Sequence, residues 1–252
     1  MSSRKRSSTA SARRKRPLNR ETQRAPLASD LDVDVDEEAY VDPKATLYGP
    51  VKVGRGAYIG PNCVVGFPAQ NELGEFMRSR KLIEKKPTVI GNECIVRSGT
   101  TIYSNVKIGD SVAFGHNVMV RENVTIGDRT KLGTNVVVDG SCSIGGNVSI
   151  QTGVYICTYS TIEDSVFLGP CCVFTNDKFV MQKPFKLVGP TVRKGASIGA
   201  NALLFPGVIV GEGAVVGAQA AVVSEVAPRT IVVGIPAKKM NDVPNDWHSS
   251  LL

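Results

Sequence analysis

From Ile90 to Phe174 an apolar residue recurs at every sixth position: Ile90, Val96, Ile102, Ile108, Phe114, Val120, Ile126, Leu132, Val138, Ile144, Ile150, Ile156, Ile162, Leu168 and Phe174. A second series, offset within the same hexads and running from Cys94, Thr100 and Val106 to Val166 and Cys172, is small or β-branched throughout. A helix repeats every 3.6 residues and a half-buried strand every second residue, so neither accounts for the pattern. A strict period of six is that of a solenoid. Each hexad then supplies one short strand and one turn, and three hexads make a triangular coil of about eighteen residues. Coils stack as parallel sheets, with the large aliphatic inside the prism and the small residue at its corner. Such turns favour residues that accept positive φ, and Asn92, Asp110, Asp128 and Asp164 recur at the coil spacing to supply them.

The repeat begins at Val41 and continues through Leu47, Val53, Ile59 and Val65. Residues 67–87 break phase, and a helical turn or two is predicted around Glu75–Leu82. A second excursion covers 175–191, after which the hexads resume at Val192, Ile198, Leu204, Val210, Val216 and Val222. The segment VVGIPAKKM, 232–240, is expected to leave the prism. The predicted organisation is an all-β prism over 39–240 with about 8–9 coils, preceded by a tail over 1–38 and followed by a polar tail over 241–252. Excursions of such length in a compact repeat usually carry function.

Composition changes this picture in one respect. The net charge of +7 sits almost entirely in residues 1–26, which hold nine basic residues and one acidic. The remaining 226 residues carry 21 basic and 22 acidic side chains and are close to neutral. The Ser- and Arg-rich start reads as a disordered basic tail, with a solvated role or a contact to nucleic acid or anionic membrane both open. No apolar run approaches the roughly 18 residues of a membrane span and no signal-peptide core appears, so a cytoplasmic setting is expected. Of six cysteines, Cys63, Cys94, Cys142 and Cys172 fall on the small-residue phase and are expected to pack inside. Cys157 and Cys171 lie off that phase and are expected to face solvent.

Candidate chemistry lies in residues that the repeat does not require. His116, one of two histidines, stands in a column with Ser98, Thr134 and Thr152 at the coil spacing, and is a candidate general base or a surface histidine. Asn117 and Asn135 are likewise stacked, as an amide ladder or a polar floor for a ligand. Asn176 and Asp177 mark the start of the second excursion. Lys238 and Lys239, with Lys194 upstream, are candidates to meet a phosphate.

The segments NVSIQTGV (147–154), EDSVFLGPCCVFTND (163–177), GASIGANALLFPGVIVGEGAVVGAQAAV (195–222) and VVGIPAKKM (232–240) resemble those of the hexapeptide-repeat acyltransferases. The likeness covers Ile90 to Met240, and within the family it is nearest to N-acetyltransferases of nucleotide-linked amino sugars. It implies a left-handed parallel β-helix and a homotrimer with sites between adjacent prisms. Acetyl-CoA would be the co-substrate, with Lys194, Ala200, Ala218, Lys238 and Lys239 lining its channel and His116 as base. Asn117, Asn135, Asn147, Asn176 and Asp177 would lie toward the acceptor. The chain departs from that branch at Gly145-Gly146-Asn147, where only Asn147 carries over, and at Gln151, so amine and hydroxyl acceptors both stay open. A non-catalytic scaffold is the competing class. Related carbonic anhydrases hold zinc with three histidines, and with two in the whole chain no metal is expected.

Overall fold

The computed structural model of the chain describes residues 32–79 and 86–251. The basic tail and the end of the predicted helix, residues 80–82, lie outside the described residues. The rest is a β-solenoid with three sheets, of 9, 11 and 9 strands. The first sheet runs from Val33–Val35 through Lys107–Ile108 to Ile209–Val210. The second runs from Tyr40–Val41 through Ala113–Phe114 to Thr230–Val233, and the third from Thr46–Leu47 through Met119–Val120 to Ala221–Val222. Strands pair in parallel at the predicted coil spacing, as in Lys107 with Thr125 and Phe114 with Leu132. The strand Val33–Val35, inside the acidic run ahead of residue 39, adds a rung to the first sheet by pairing with Val51–Val53.

Both apolar series are buried without exception from Ile90 to Phe174. Each inward aliphatic contributes about 1.5–3 kcal/mol by leaving water. The hydroxyls inside the prism are paired. Thr130 Oγ1 donates to Gly145 O at 2.8 Å and accepts from Val148 N–H at 3.1 Å. Cys63, Cys94, Cys142 and Cys172 pack inside as expected. Cys157 is buried too, against the expectation, because the small Ser160 leaves room in its corner and the two side chains meet at 3.4 Å.

The turn residues differ from the prediction in an instructive way. Positive φ falls one residue after Asn92, Asp110, Asp128 and Asp164, on Glu93, Ser111, Arg129 and Ser165. The acidic series instead caps the neighbouring coil. Asn92 N–H donates to Asp110 Oδ1 at 2.7 Å, Asp110 N–H to Asp128 Oδ1 at 2.9 Å, and Gly146 N–H to Asp164 Oδ1 at 2.8 Å. A short carboxylate at this position satisfies a backbone donor that the turn would otherwise leave unpaired.

The three corners have different fates. Both excursions leave from the end of a third-sheet strand and return at the start of a first-sheet strand. In the first excursion helix α1 spans Gln70–Ser79, starting earlier than predicted because Glu72 Oε2 accepts from Ala69 N–H at 2.7 Å and from Ser104 Oγ at 2.8 Å. The corner between first and second sheets is covered by the chain's end. Ser165 Oγ donates to Leu251 O, and Arg229 reaches the carbonyls of Val243 and Pro244. Residues 232–233 stay in the second sheet, contrary to expectation, and Lys238–Asp242 folds back antiparallel on them. This hairpin covers the last parallel edge of that sheet with charged side chains, which discourages further strand addition.

Replacing Ile126 by Ala should cost about 2–5 kcal/mol in denaturant unfolding, since the stacked coils cannot collapse onto the cavity. Thr125→Ala, on the outer face of the same strand, should stay within about 0.5 kcal/mol of the parent.

Candidate functional site

Among the described residues, the corner between the second and third sheets carries neither excursion nor the terminal segment 243–251. It carries the column Ser98, His116, Thr134, Thr152, Pro170, Ala200 and Ala218, linked through backbone bonds such as Asn135 N–H to His116 O at 2.9 Å and Gln219 N–H to Ala200 O at 2.8 Å. Gly115 precedes the histidine because a Cβ there would lie 2.5 Å from Thr134 N. The next coil therefore closes tightly under His116. Thr134 Oγ1 accepts from the His116 N–H at 3.3 Å, and the imidazole Nδ1 lies 2.9 Å from Ser98 Oγ. The ring itself is exposed. With Nδ1–H donating to Ser98, Nε2 keeps its lone pair toward solvent, which is the tautomer a general base requires.

Asn117 and Asn135 flank this column with φ of 54° and 57°. Asparagine tolerates that left-handed backbone, which accounts for its presence there. The amide ladder occurs elsewhere, between Asn105 Nδ2 and Asn123 Oδ1. Ala200 and Ala218 share the corner with His116, four and five coils along, or roughly 19–24 Å at about 4.8 Å per coil.

The remaining sequence-derived candidates stand apart. Asn147 and Lys194 lie on the corner between the first and second sheets, where Asn147 Oδ1 accepts from Arg129 Nε at 2.8 Å. Lys194 N–H donates to Glu163 Oε2 at 2.9 Å, and Arg193 Nη1 pairs with Glu163 Oε1 at 2.6 Å. Burial opposes ionisation of Glu163, but these two donors outweigh it and hold the carboxyl below its ordinary value. Lys194 also borders a cleft of about 770 Å³ closed on its far side by Trp247 and His248. Asn176 and Asp177 sit at the third corner with local duties. Asn176 Nδ2 donates to Thr158 O, and Asp177 accepts from the N–H groups of Phe179 and Met181. Lys238 and Lys239 belong to the terminal hairpin, where Lys239 pairs with Asp242 at 2.7 Å. Among the described residues no cluster of three or more His, Cys, Asp or Glu could hold a metal, and no helix is long and apolar enough to cross a membrane.

Tyr103 and Asp139 escaped sequence reasoning, in which Arg121 and Glu122 stand out only as charged neighbours of undetermined facing. Tyr103, Arg121 and Asp139 are spaced at the coil repeat and stack on the third sheet beside Phe67. The spacing was visible, but their facing was not.

Comparison with known proteins agrees with this architecture. The bacterial transferase hexapeptide profile (six repeats) matches residues 105–140, and the hexapeptide repeat of succinyl-transferase matches 123–158 and 194–222. The solenoid is thus a hexapeptide-repeat fold of the kind that bacterial transferases carry. A candidate acetyltransferase of Schizosaccharomyces pombe is 33% identical over 103 residues, covering 36% of this chain and 50% of that protein. A chloramphenicol acetyltransferase of Escherichia coli is 39% identical over 69 residues, covering 27% of this chain and 33% of that protein. The chain therefore spans half or less of the length of these relatives. A UDP-N-acetylglucosamine acyltransferase structure from Campylobacter jejuni superposes with a TM-score of 0.60 at 16% identity, over 83% of this chain and 75% of that one.

The cysteines give a direct probe of the site corner. Burial raises the thiol pKa of Cys94 to about 11 and those of Cys142 and Cys172 to about 12, and only Cys171, next to Pro170 in the His116 column, is exposed. A thiol reagent at pH 8 should therefore modify one cysteine rapidly in the native protein and all six after unfolding.

Proposed function

We propose that this protein is an acyltransferase that moves an acetyl group from acetyl-CoA to an amino group of a nucleotide-linked sugar. The observation that carries the reading is His116, fixed through Ser98 on an exposed corner, in one column with Ala200 and Ala218. A rigid column of this length matches an extended thioester lying along the corner, its acyl end at His116. The acetyltransferase names of the relatives support the same class.

In this mechanism the sugar nitrogen attacks the thioester carbonyl. His116 Nε2 takes the proton that the nitrogen loses, the C–S bond breaks, and the sulfur leaves as CoA thiolate and recovers that proton. A positioned base contributes typically 10²–10⁴-fold to such a step. Lys194 and Asn147 occupy a different corner from His116, so they join the same groove only across a subunit boundary. A homotrimer supplies that boundary, with Lys194 and the Lys238–Lys239 hairpin toward the nucleotide end of CoA and Asn117, Asn135, Asn147, Asn176 and Asp177 toward the acceptor. On this reading the reaction is placed in the cytoplasm.

Calorimetric titration with acetyl-CoA tests the class, with saturable binding near one site per subunit expected. Bound acetyl-CoA should also slow modification of Cys171, which lies between His116 and Ala200. His116→Ala should retain this binding while turnover falls by about 10²–10⁴-fold. Absence of acetyl-CoA binding by folded protein would remove the acyltransferase reading.

A further inference from the structure

The second excursion, residues 175–191, is a short loop locked from within. Asp177 accepts from the Phe179 N–H at 2.9 Å and from the Met181 N–H at 2.8 Å, and the Gln182 N–H donates to Phe179 O at 2.9 Å. Phe179 and Phe185 meet edge to face at 5.2 Å, and Lys183 Nζ lies 3.8 Å from the Phe179 ring centre. Val188 seats the loop on the prism: its N–H donates to Asn176 O at 3.1 Å, and its carbonyl accepts from the Gly207 N–H at 3.0 Å. At the tip, Val180 and Met181 take φ of 49° and 63°. A β-branched residue rarely enters that region, so the loop holds its tip in a conformation that Val180 would avoid by itself. Both tip side chains point to solvent. Met181 is 87% exposed, more than any other large apolar side chain among the described residues, and Val180 is 75% exposed.

The surroundings of the tip are apolar and basic together. Phe185, Leu187 and Val188 are exposed in the same loop, and Phe205 and Val223 are exposed on the following coils of the same corner. Lys178, Lys183 and Lys186 are exposed among them, while the loop's one acid, Asp177, has both oxygens engaged by backbone N–H groups. Three lysines against one aspartate make the loop basic on a body that is otherwise close to neutral. The core of a protein–protein interface is depleted of lysine, which argues against a second protein as the occupant. Nucleic acid is bound through stacking on aromatic rings, which Val180 and Met181 cannot provide. Apolar side chains ringed by lysine suit the boundary of an anionic bilayer, where acyl chains take up the former and headgroup phosphates meet the latter.

We propose that the second excursion docks the protein on an anionic lipid surface, with Val180 and Met181 entering the acyl boundary and Lys178, Lys183 and Lys186 at the headgroup phosphates. A loop already fixed by Asp177 and the Phe179–Phe185 pair loses little freedom on docking. One small loop gives weak, reversible attachment, and the nine basic residues within 1–26 supply a second attraction to the same surface. This inference goes beyond the acyltransferase reading and does not depend on it.

The test is flotation of the full chain with phosphatidylcholine vesicles prepared with and without phosphatidylglycerol. The protein should float with the anionic vesicles alone, and less of it as salt is raised. Val180→Ser combined with Met181→Ser should weaken that binding by about tenfold or more while keeping the parent's melting temperature, since both side chains are exposed. In Met181→Trp the tryptophan emission should shift to the blue when anionic vesicles are added. The parent, whose single tryptophan, Trp247, lies at another corner, should show no such shift. A full chain that ignores anionic vesicles would overturn the proposal. So would vesicle binding that the double serine variant keeps in full, which would assign it to residues 1–26. A double variant that sediments as a smaller species than the parent would also overturn it, by showing that a second copy covers the loop.

Discussion

The hydrogen bond between one coil and the next governs everything else in this molecule. Gly115 N–H to Leu132 O at 2.7 Å and Met119 N–H to Val136 O at 2.9 Å are two of a series that repeats along every face. Because donor and acceptor are always one coil apart, a residue cannot be inserted inside a strand without shifting every side chain above it to the wrong position. Inserted segments are tolerated only where the ladder is interrupted already, at the corners. Both excursions obey this rule and use the same corner, leaving after Phe67 and Phe174 and returning at Thr88 and Thr191.

The same constraint gives the molecule its chemistry. A solenoid coil offers outward positions in fixed columns, so a functional side chain inherits neighbours above and below. His116 acquires a hydroxyl on each side, from Ser98 and Thr134, without any dedicated loop. Arg121 acquires Tyr103 on one side and Asp139 on the other. Close stacking also explains the glycines that precede the corner residues. At Gly115 a side chain would collide with the next coil's backbone, and the histidine would be displaced. Rigid columns of this kind hold reacting groups at low cost in ordering, since the scaffold is fixed before any ligand arrives.

Interruptions of the repeat shape which corners stay open. Helix α1 roofs part of the third sheet and creates a slot beside a charged pair. The chain's end folds along another corner and is held there by Arg229 and Ser165. Among the described residues, the His116 corner carries neither excursion nor the terminal segment held by Arg229 and Ser165. A site in the proposed trimer would thus be composed from unlike corners of neighbouring prisms, which is why Lys194 and His116 need not be close within one chain.

The hexad alone determined the fold class, the inward residues from Ile90 to Phe174, the burial of four cysteines and the column that holds His116. Those follow from a local period, and a period is a property of the sequence. Other features depended on where segments land after leaving the ladder. The acidic series caps the next coil instead of taking positive φ, because backbone donors at that corner face outward only once coils are stacked. Cys157 turns inward because Ser160 is small. Residues 232–242 close the second sheet as a hairpin, and the slot between Tyr103, Arg121 and Asp139 exists only because α1 lies over it. Spacing in the sequence assigns a residue to a column, but the facing of that column, and what covers it, are decided by contacts between parts of the chain far apart in sequence.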